Sequence, residues 1–341
     1  MIPVIDLEPF TSGDPAEQQR VADEVATACA EIGFLVVRGH DVSTSVIDDL
    51  HEAAGAFFRL PLETKREVRS PVNNLYQGYA HPGTNPGDHT SERQSYNVFR
   101  YDTIAEAVEH GYPADLDGLF FEALWPTEPV GFRDAVRSYY SEMERLTGRL
   151  LEVLERGLGL TDGQLTAMLD HHLSTQAVNY YSDDIESGHE PSPYRFKAHH
   201  DGSLLTVLYQ DDGPGSLQLH RRGAGWIDVA PIEGTFIVNT GEILTRLTNG
   251  RYPATPHRVL APSLDLPKVP RISAPFFFKP GLDAAVAPID ELLAADESPA
   301  FEPHTGRSWY QRNQANIDKG YDSTKQYEDL AADESSGVPA V

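Results

Sequence analysis

Residues 197–206 read Lys197-Ala198-His199-His200-Asp201-Gly202-Ser203-Leu204-Leu205-Thr206. On a β-strand, side chains at i and i+2 point to the same face. His199 and Asp201 can therefore offer an imidazole nitrogen and a carboxylate oxygen to one metal ion. His200 is turned the other way, and its own i+2 neighbour, Gly202, has no donor. A third ligand must come from elsewhere. His257 lies 56 positions beyond Asp201 and opens the strand-like run His257-Arg258-Val259-Leu260. Two imidazoles and one carboxylate on one side of a metal leave positions open for reactants. The H-x-D spacing alone is a weak signal, because the chain has 13 histidines and some must fall beside an acid by chance.

A second segment stands out downstream. Arg271-Ile272-Ser273 opens an otherwise apolar run that continues Ala274-Pro275-Phe276-Phe277-Phe278. Arg271 and Ser273 share a strand face, and a buried guanidinium needs an anionic partner. A guanidinium beside a hydroxyl grips a carboxylate well. A structural salt bridge to one of the chain's many acids is the alternative.

Around these segments the period is strand-like. Candidate strands are 176–181, 204–210, 216–219, 225–229, 235–239, 243–247, 258–260 and 272–278, with Asn249-Gly250 as a hairpin turn. Many short strands in succession predict a mainly β protein with flanking helices and a jelly-roll core. Upstream, 3–7 and 34–37 read as short strands, and Asp14-Pro15 starts a helix that Gly33 stops. A second helix carries Val46, Leu50, Ala54 and Phe57 and ends at Pro61. Residues 70–118 read as loops with one strand near 94–99, whose alternation puts Ser95, Asn97 and Phe99 on one face. A long helix follows, with Phe132, Val136, Tyr140, Met143, Leu146 and Leu150 on one stripe. Helical residues return at 289–295 and 308–318, and 333–341 is an acidic tail. With no repeat or linker, one domain is expected: an α/β cap over 1–120, the β core over 170–282, and a helix and tail over 283–341.

Composition narrows the function. A net charge of −25 repels phosphate backbones, so nucleic acid is not an expected partner. The single cysteine, Cys29, rules out an internal disulfide. It falls at helical spacing with Val21, Val25, Ala28 and Ile32, which predicts core packing. No run of about 18 apolar residues could span a bilayer, and the N-terminus lacks a basic stretch followed by an apolar one. A cytoplasmic protein with no membrane or obligatory protein partner is expected.

Taken together, His199-x-Asp201, His257 and Arg271-x-Ser273 resemble the isopenicillin N synthase-like branch of the iron(II)/2-oxoglutarate dioxygenases. Local text agrees: Asn179-Tyr180-Tyr181, Leu205-Thr206 after the H-x-D, and Asn249-Gly250-Arg251-Tyr252 before the distal histidine. In the N-terminal third the resemblance rests on Ile2-Pro3-Val4-Ile5-Asp6-Leu7, Gly33-Phe34, Phe57-Phe58-x-Leu60-Pro61 and Gly78-Tyr79. It runs from about residue 2 to residue 280.

The resemblance implies a double-stranded β-helix that holds Fe(II) through His199, Asp201 and His257. Arg271 and Ser273, assisted by Tyr181, would hold the distal carboxylate of 2-oxoglutarate. The reaction with O₂ would hydroxylate, desaturate or cyclise a small molecule, a metabolite or natural-product intermediate of secondary metabolism, and release succinate and CO₂. An isopenicillin N synthase-like oxidase that works without 2-oxoglutarate is the alternative. Tyr76 stands where that enzyme has a substrate-binding arginine, which argues against that activity. Asp201 argues against halogenation, and a metal-binding sensor on the same fold is a third reading. For the substrate pocket the candidates are Asn97, Phe99 and Phe277, with the helix near Trp309 contributing. Arg93 shares the face of Asn97 if the strand reaches back that far, where it is expected to be solvated.

Overall fold

The computed structural model describes residues 1–69, 77–81, 93–114, 122–181, 193–212, 217–262 and 269–318. The chain begins with β1 (Val4–Asp6), a short α1 (Glu8–Thr11), α2 (Pro15–Glu31) and β2 (Phe34–Arg38). Asp14 caps α2 by accepting from the Ala16 amide at 2.9 Å, and Pro15 takes the first helical position, where its missing N–H costs nothing. Gly33 ends this unit at φ +70°, and a Cβ there would lie 2.5 Å from Thr255 Oγ1 and 2.6 Å from Pro253 O, so only glycine fits. Then come α3 (Thr44–Phe58), α4 (Leu62–Arg66), β3 (Gly78–Ala80), β4 (Arg93–Val98), α5 (Ile104–Glu109) and the long α6 (Phe132–Leu158).

The second half supplies β5 (Thr175–Tyr181), β6 (Tyr194–His199), β7 (Leu205–Gln210), β8 (Leu217–Arg221), β9 (Gly225–Val229) and β10 (Phe236–Thr240). These lead into α7 (Glu242–Leu247), β11 (His257–Leu260), β12 (Arg271–Phe278), β13 (Ala285–Val286), β14 (His304–Thr305) and α8 (Gly306–Asp318). Two sheets result. The larger runs β1-β2-β10-β7-β12-β5-β4-β3 and the smaller β6-β11-β8-β9.

Strand alternation decides what each face meets. On β12, Ile272, Ala274, Phe276 and Phe278 point outward and join Val178, Val207 and Tyr96 in a core with Phe57, Phe132, Tyr139 and Met143 from α3 and α6. That apolar stripe is why the helices cover the sheet. The inward face meets the small sheet through Phe34, Leu217, Leu219, Ile237 and Val259. The same inward face carries the polar residues discussed below. Cys29 lies in the outer core as expected, and burial pushes its thiol up to about 12.

Three expectations need correction. Residues 243–247 belong to helix α7, not a strand: Ile243, Leu244 and Leu247 are buried at helical spacing, which a short apolar run conceals. Asn249 and Gly250, at φ 50° and 87°, therefore follow a helix and do not join a hairpin. The helical stretch foreseen at 289–295 is a 3₁₀ turn over Asp290–Leu292. Tyr76 and the 333–341 tail lie outside the described residues.

Candidate active site

The inward faces of β4, β5, β12 and β7 form a lattice of facing residues. Arg93 faces Tyr181, which faces Arg271. One step along lie Ser95, Asn179, Ser273 and Gln210, then Asn97 and Ala177 with Pro275 and Leu208. Last come Thr175, Phe277 and Thr206, the last paired with Asn239 of β10. All of these line one cavity, closed from the other side by Phe196, Leu217, His257 and Val259.

His199, Asp201 and His257 converge in this cavity, with one donor atom from each within 4.8 Å of the others. β6 and β11 are neighbours and pair His199 directly with His257. β6 stops at His199, so Asp201 stands just past the strand, yet the alternation foreseen from sequence holds. His200 also lines the cavity but stays out of the donor cluster, with Nε2 3.4 Å from Glu242 Oε2. The turn after the strand is fixed by α7, whose Glu242 and Ile243 amides donate to Asp201 O and Ser203 O at 2.8 and 3.0 Å. Trp309 of α8 donates from Nε1 to Gly202 O at 3.0 Å.

Each donor group is aimed. His199 Nδ1 donates to Lys197 O at 2.9 Å and His257 Nδ1 to Thr255 O at 3.1 Å, which leaves both Nε2 lone pairs facing Asp201. Asp201 Oδ2 accepts from Thr206 Oγ1 at 2.6 Å and Asn239 Nδ2 at 2.9 Å, while Oδ1 faces the imidazoles at 3.7 and 3.8 Å. Burial, with His257 alongside, holds the His199 imidazole well below its ordinary value and hence neutral. Burial opposes ionisation of Asp201, but the two imidazoles and the two hydrogen bonds outweigh it and keep the carboxyl low. Two imidazole nitrogens and a carboxylate form a donor set able to hold a divalent first-row metal.

At the other end, Arg271 is buried, and burial lowers its guanidinium from the ordinary value. Its Nη2 donates to Gln210 Oε1, and the Tyr181 ring lies 5.4 Å away. Its Nη1 is buried with no hydrogen-bond partner. An orphaned guanidinium nitrogen in a cavity wall is costly unless an anion meets it. Beside it, Arg93 donates to Asn179 Oδ1 at 2.7 Å, which turns the Asn179 amide to donate to Ser273 Oγ at 3.3 Å. The Ser273 hydroxyl proton is thereby free to point into the cavity. The site fits a dicarboxylate that reaches from the guanidinium to the metal.

The comparisons with known proteins agree. Residues 173–280 match the 2OG-Fe(II) oxygenase superfamily, and residues 2–128 match the N-terminal region described as non-haem dioxygenase in morphine synthesis. The chain is 31% identical over 310 residues to jasmonate-induced oxygenase 1 of Arabidopsis thaliana, spanning 89% of this chain and 70% of that protein. The chain belongs to the 2-oxoglutarate–Fe(II) oxygenase superfamily. It is a 2-oxoglutarate-dependent oxidoreductase of the double-stranded β-helix fold, with Fe(II) as metal. Among solved structures, a full-length Neurospora crassa enzyme in complex with alpha-KG and thymine superposes with a TM-score of 0.79 at 23% identity, covering 92% of this chain and 97% of that one. JOX2 in complex with 2OG, Fe, and JA gives a TM-score of 0.72 at 26% identity, covering 93% and 84%. Among the described residues of this oxygenase, no helix is long and apolar enough to cross a membrane.

The substrate-side candidates divide. Asn97 and Phe277 line the cavity. Phe99 does not: β4 ends at Val98, and Phe99 turns into a separate small core with Ala107, Tyr112, Leu173, Leu282 and Tyr310. Trp309 is likewise buried in the core, and α8 reaches the cavity through Asn313. Arg93 is half-buried and not fully solvated. It lines the cavity, and its guanidinium lies 4.3 Å from the Phe196 ring. Sequence reading assigned no site role to Thr206, Gln210 and Asn239, because only cross-strand pairing brings them to the site; Lys279, at the end of a strand expected to line the pocket, does line it.

Proposed function

We propose that His199, Asp201 and His257 hold the Fe(II), that Arg271, Ser273 and Tyr181 hold the distal carboxylate of 2-oxoglutarate, and that the enzyme oxidises a small molecule lying against Asn97 and Phe277. The observation that carries this reading is the unpartnered Arg271 Nη1 in the wall of the cavity that also holds the two histidines and the aspartate. When bound, Fe(II) with 2-oxoglutarate and O₂ supplies the oxidising power for hydroxylation, desaturation or ring closure, with succinate and CO₂ released. The chain supplies the rest. Lys197 O and Thr255 O orient the imidazoles, Thr206 and Asn239 hold the carboxylate in one rotamer, and Arg271 fixes the co-substrate's far end. Phe34, Phe196, Leu208, Leu217 and Val259 make the wall apolar, which keeps water from competing for the open metal positions.

The neighbours' ligands, thymine and JA, support a small-molecule substrate, and we read the pathway as secondary metabolism in the cytoplasm. The whole chain is read as one oxygenase domain, supported by β1 and β2, which extend the sheet that carries the site. A 2-oxoglutarate-independent oxidase, in which Arg271 and Ser273 take the substrate's own carboxylate, is disfavoured by the relatives.

Substrate-stimulated succinate formation, with 2-oxoglutarate supplied or withheld, tests the reading. Arg271→Ala should raise the KM for 2-oxoglutarate by about 10- to 100-fold, the equivalent of about 1.5–3 kcal/mol for a charge-assisted bond. Arg271→Lys should recover part of that, since an ammonium cannot reproduce the fork. Product formation that ignores 2-oxoglutarate would refute it.

A further inference from the structure

Two guanidinium groups line the cavity, those of Arg93 and Arg271. Arg93 faces Tyr181 across β4 and β5, and Tyr181 faces Arg271 across β5 and β12. The arginines are thus two strands apart, roughly 10 Å at the backbone, with a tyrosine between them. Arg271 is drawn further off by Gln210 of β7, which accepts from its Nη2. Arg93 is held elsewhere: its Nη1 donates to Asn179 Oδ1 at 2.7 Å, and its guanidinium packs 4.3 Å from the Phe196 ring of β6. A carboxylate gripped by Arg271 and Ser273 is too compact to serve both groups.

Arg93 has unused capacity. Of a guanidinium's five N–H donors, one goes to Asn179, and Nε is buried with no hydrogen-bond partner. Among the described residues that line the cavity the single acid is Asp201, in a chain of net charge −25. Its oxygens accept from Thr206 and Asn239 and face the imidazoles. The Phe196 ring that packs on Arg93 lies 4.2 Å from the His199 ring, so an anion on Arg93 sits within a small molecule's length of the metal. On the same strand face Ser95 and Asn97 follow Arg93 along the cavity wall, and Asn97 Nδ2 donates to Ser95 Oγ at 3.2 Å. β4 thus offers a polar track beside the one on β12. A guanidinium in a cavity wall, with an unmet donor and no acid of its own there, is set for an incoming anion.

We propose that Arg93 is a specificity-determining residue that binds a carboxylate on the substrate being oxidised. The substrate lies along β4 over Ser95 and Asn97, while 2-oxoglutarate lies along β12, and both reach the metal. This rests on the reading that Arg271 takes 2-oxoglutarate.

The test uses full-chain protein saturated with 2-oxoglutarate, loaded with Mn(II) for binding and Fe(II) for turnover. The probes are aliphatic, aromatic and amino-acid-derived carboxylic acids, each matched with its primary amide. Ligand-induced melting shifts give affinities, and succinate release gives turnover. Acids should outbind their amides by about tenfold or more in the wild type. Arg93→Gln removes the charge and keeps an N–H donor for Asn179; it should erase the preference. Arg93→Lys, which keeps the charge and loses the fork, should keep part of it. Acid and amide are compared within one variant, so any change passed through Asn179 to Ser273 cancels. In both variants 2-oxoglutarate affinity should fall by far less than the about 10- to 100-fold expected for Arg271→Ala, and its retention certifies their fold. Amides that bind as well as acids, a preference that survives Arg93→Gln, or a panel in which no acid binds would overturn the proposal. So would a loss of 2-oxoglutarate affinity in Arg93→Gln as large as that in Arg271→Ala, which would make Arg93 part of the clamp. Wild type that fails to bind 2-oxoglutarate would instead overturn the reading of Arg271 on which it depends.

Discussion

In the proposed reading Asp201 would offer the metal one oxygen, because Thr206 and Asn239 occupy the other. Removing one of those donors should loosen the carboxylate without touching the metal's own ligands. Asn239→Ala is expected to weaken metal affinity by about 10- to 100-fold, measured by competition against a chelator, with the cavity otherwise intact. Lys279 makes a different residue-scale prediction. The unfolded chain keeps its lysine proton up to the ordinary 10.5, whereas the folded protein releases it above about 8. Wild-type stability should therefore rise with pH across that window. At pH 7 the ligand-free Lys279→Met protein should be the more stable by on the order of 1–3 kcal/mol, and its advantage should fade between pH 8 and 10.5. A constant gap across that range would mean that Lys279 is not held at a cost. At this scale the sequence was legible where covalent spacing does the work, as in His199-x-Asp201 and Arg271-x-Ser273. It was silent on the roles of Thr206 and Asn239, which arise from pairing between β7 and β10.

β12 places adjacent phenylalanines in two different environments, and the difference is measurable. Phe276 is fully buried among the helices, so Phe276→Ala should cost about 3–5 kcal/mol in chemical denaturation. Phe277 lines the cavity, so Phe277→Ala should cost much less stability and chiefly raise the KM of the substrate. Equal destabilisation by the two would place the strand in the wrong register. The junction before α7 is as constrained. A Cβ on Gly241 would meet Ser203 O at 2.1 Å, so Gly241→Ala must push the 201–204 turn and should lose metal binding through displacement of Asp201. Elements with a clear period, such as α2, α6 and β12, were readable from their alternation. α7 was not, because the period of Ile243, Leu244 and Leu247 is too short to separate helix from buried strand. Phe99 failed for a related reason: alternation says nothing about where a strand stops.

At the scale of the whole molecule, the first and last parts of the chain serve the same site. β2 pairs with β10, so the N-terminal unit braces the strand that carries Asn239, and α8 reaches back through Trp309 to the turn at Gly202. The jelly-roll architecture was legible from the succession of short strands, whereas this bracing depends on contacts between residues more than a hundred positions apart. A strongly acidic chain thus encloses a cavity whose lining is cationic, which suits anionic reactants more than its net charge suggests. The central claim is that His199, Asp201 and His257, and not the adjacent His200, hold the iron. Anaerobic equilibrium dialysis of Fe(II) against wild type, His199→Ala and His200→Ala tests it directly. One tightly bound ion per chain in wild type and His200→Ala, with none in His199→Ala, is the predicted result. Tight binding that survives His199→Ala and is lost in His200→Ala would contradict it.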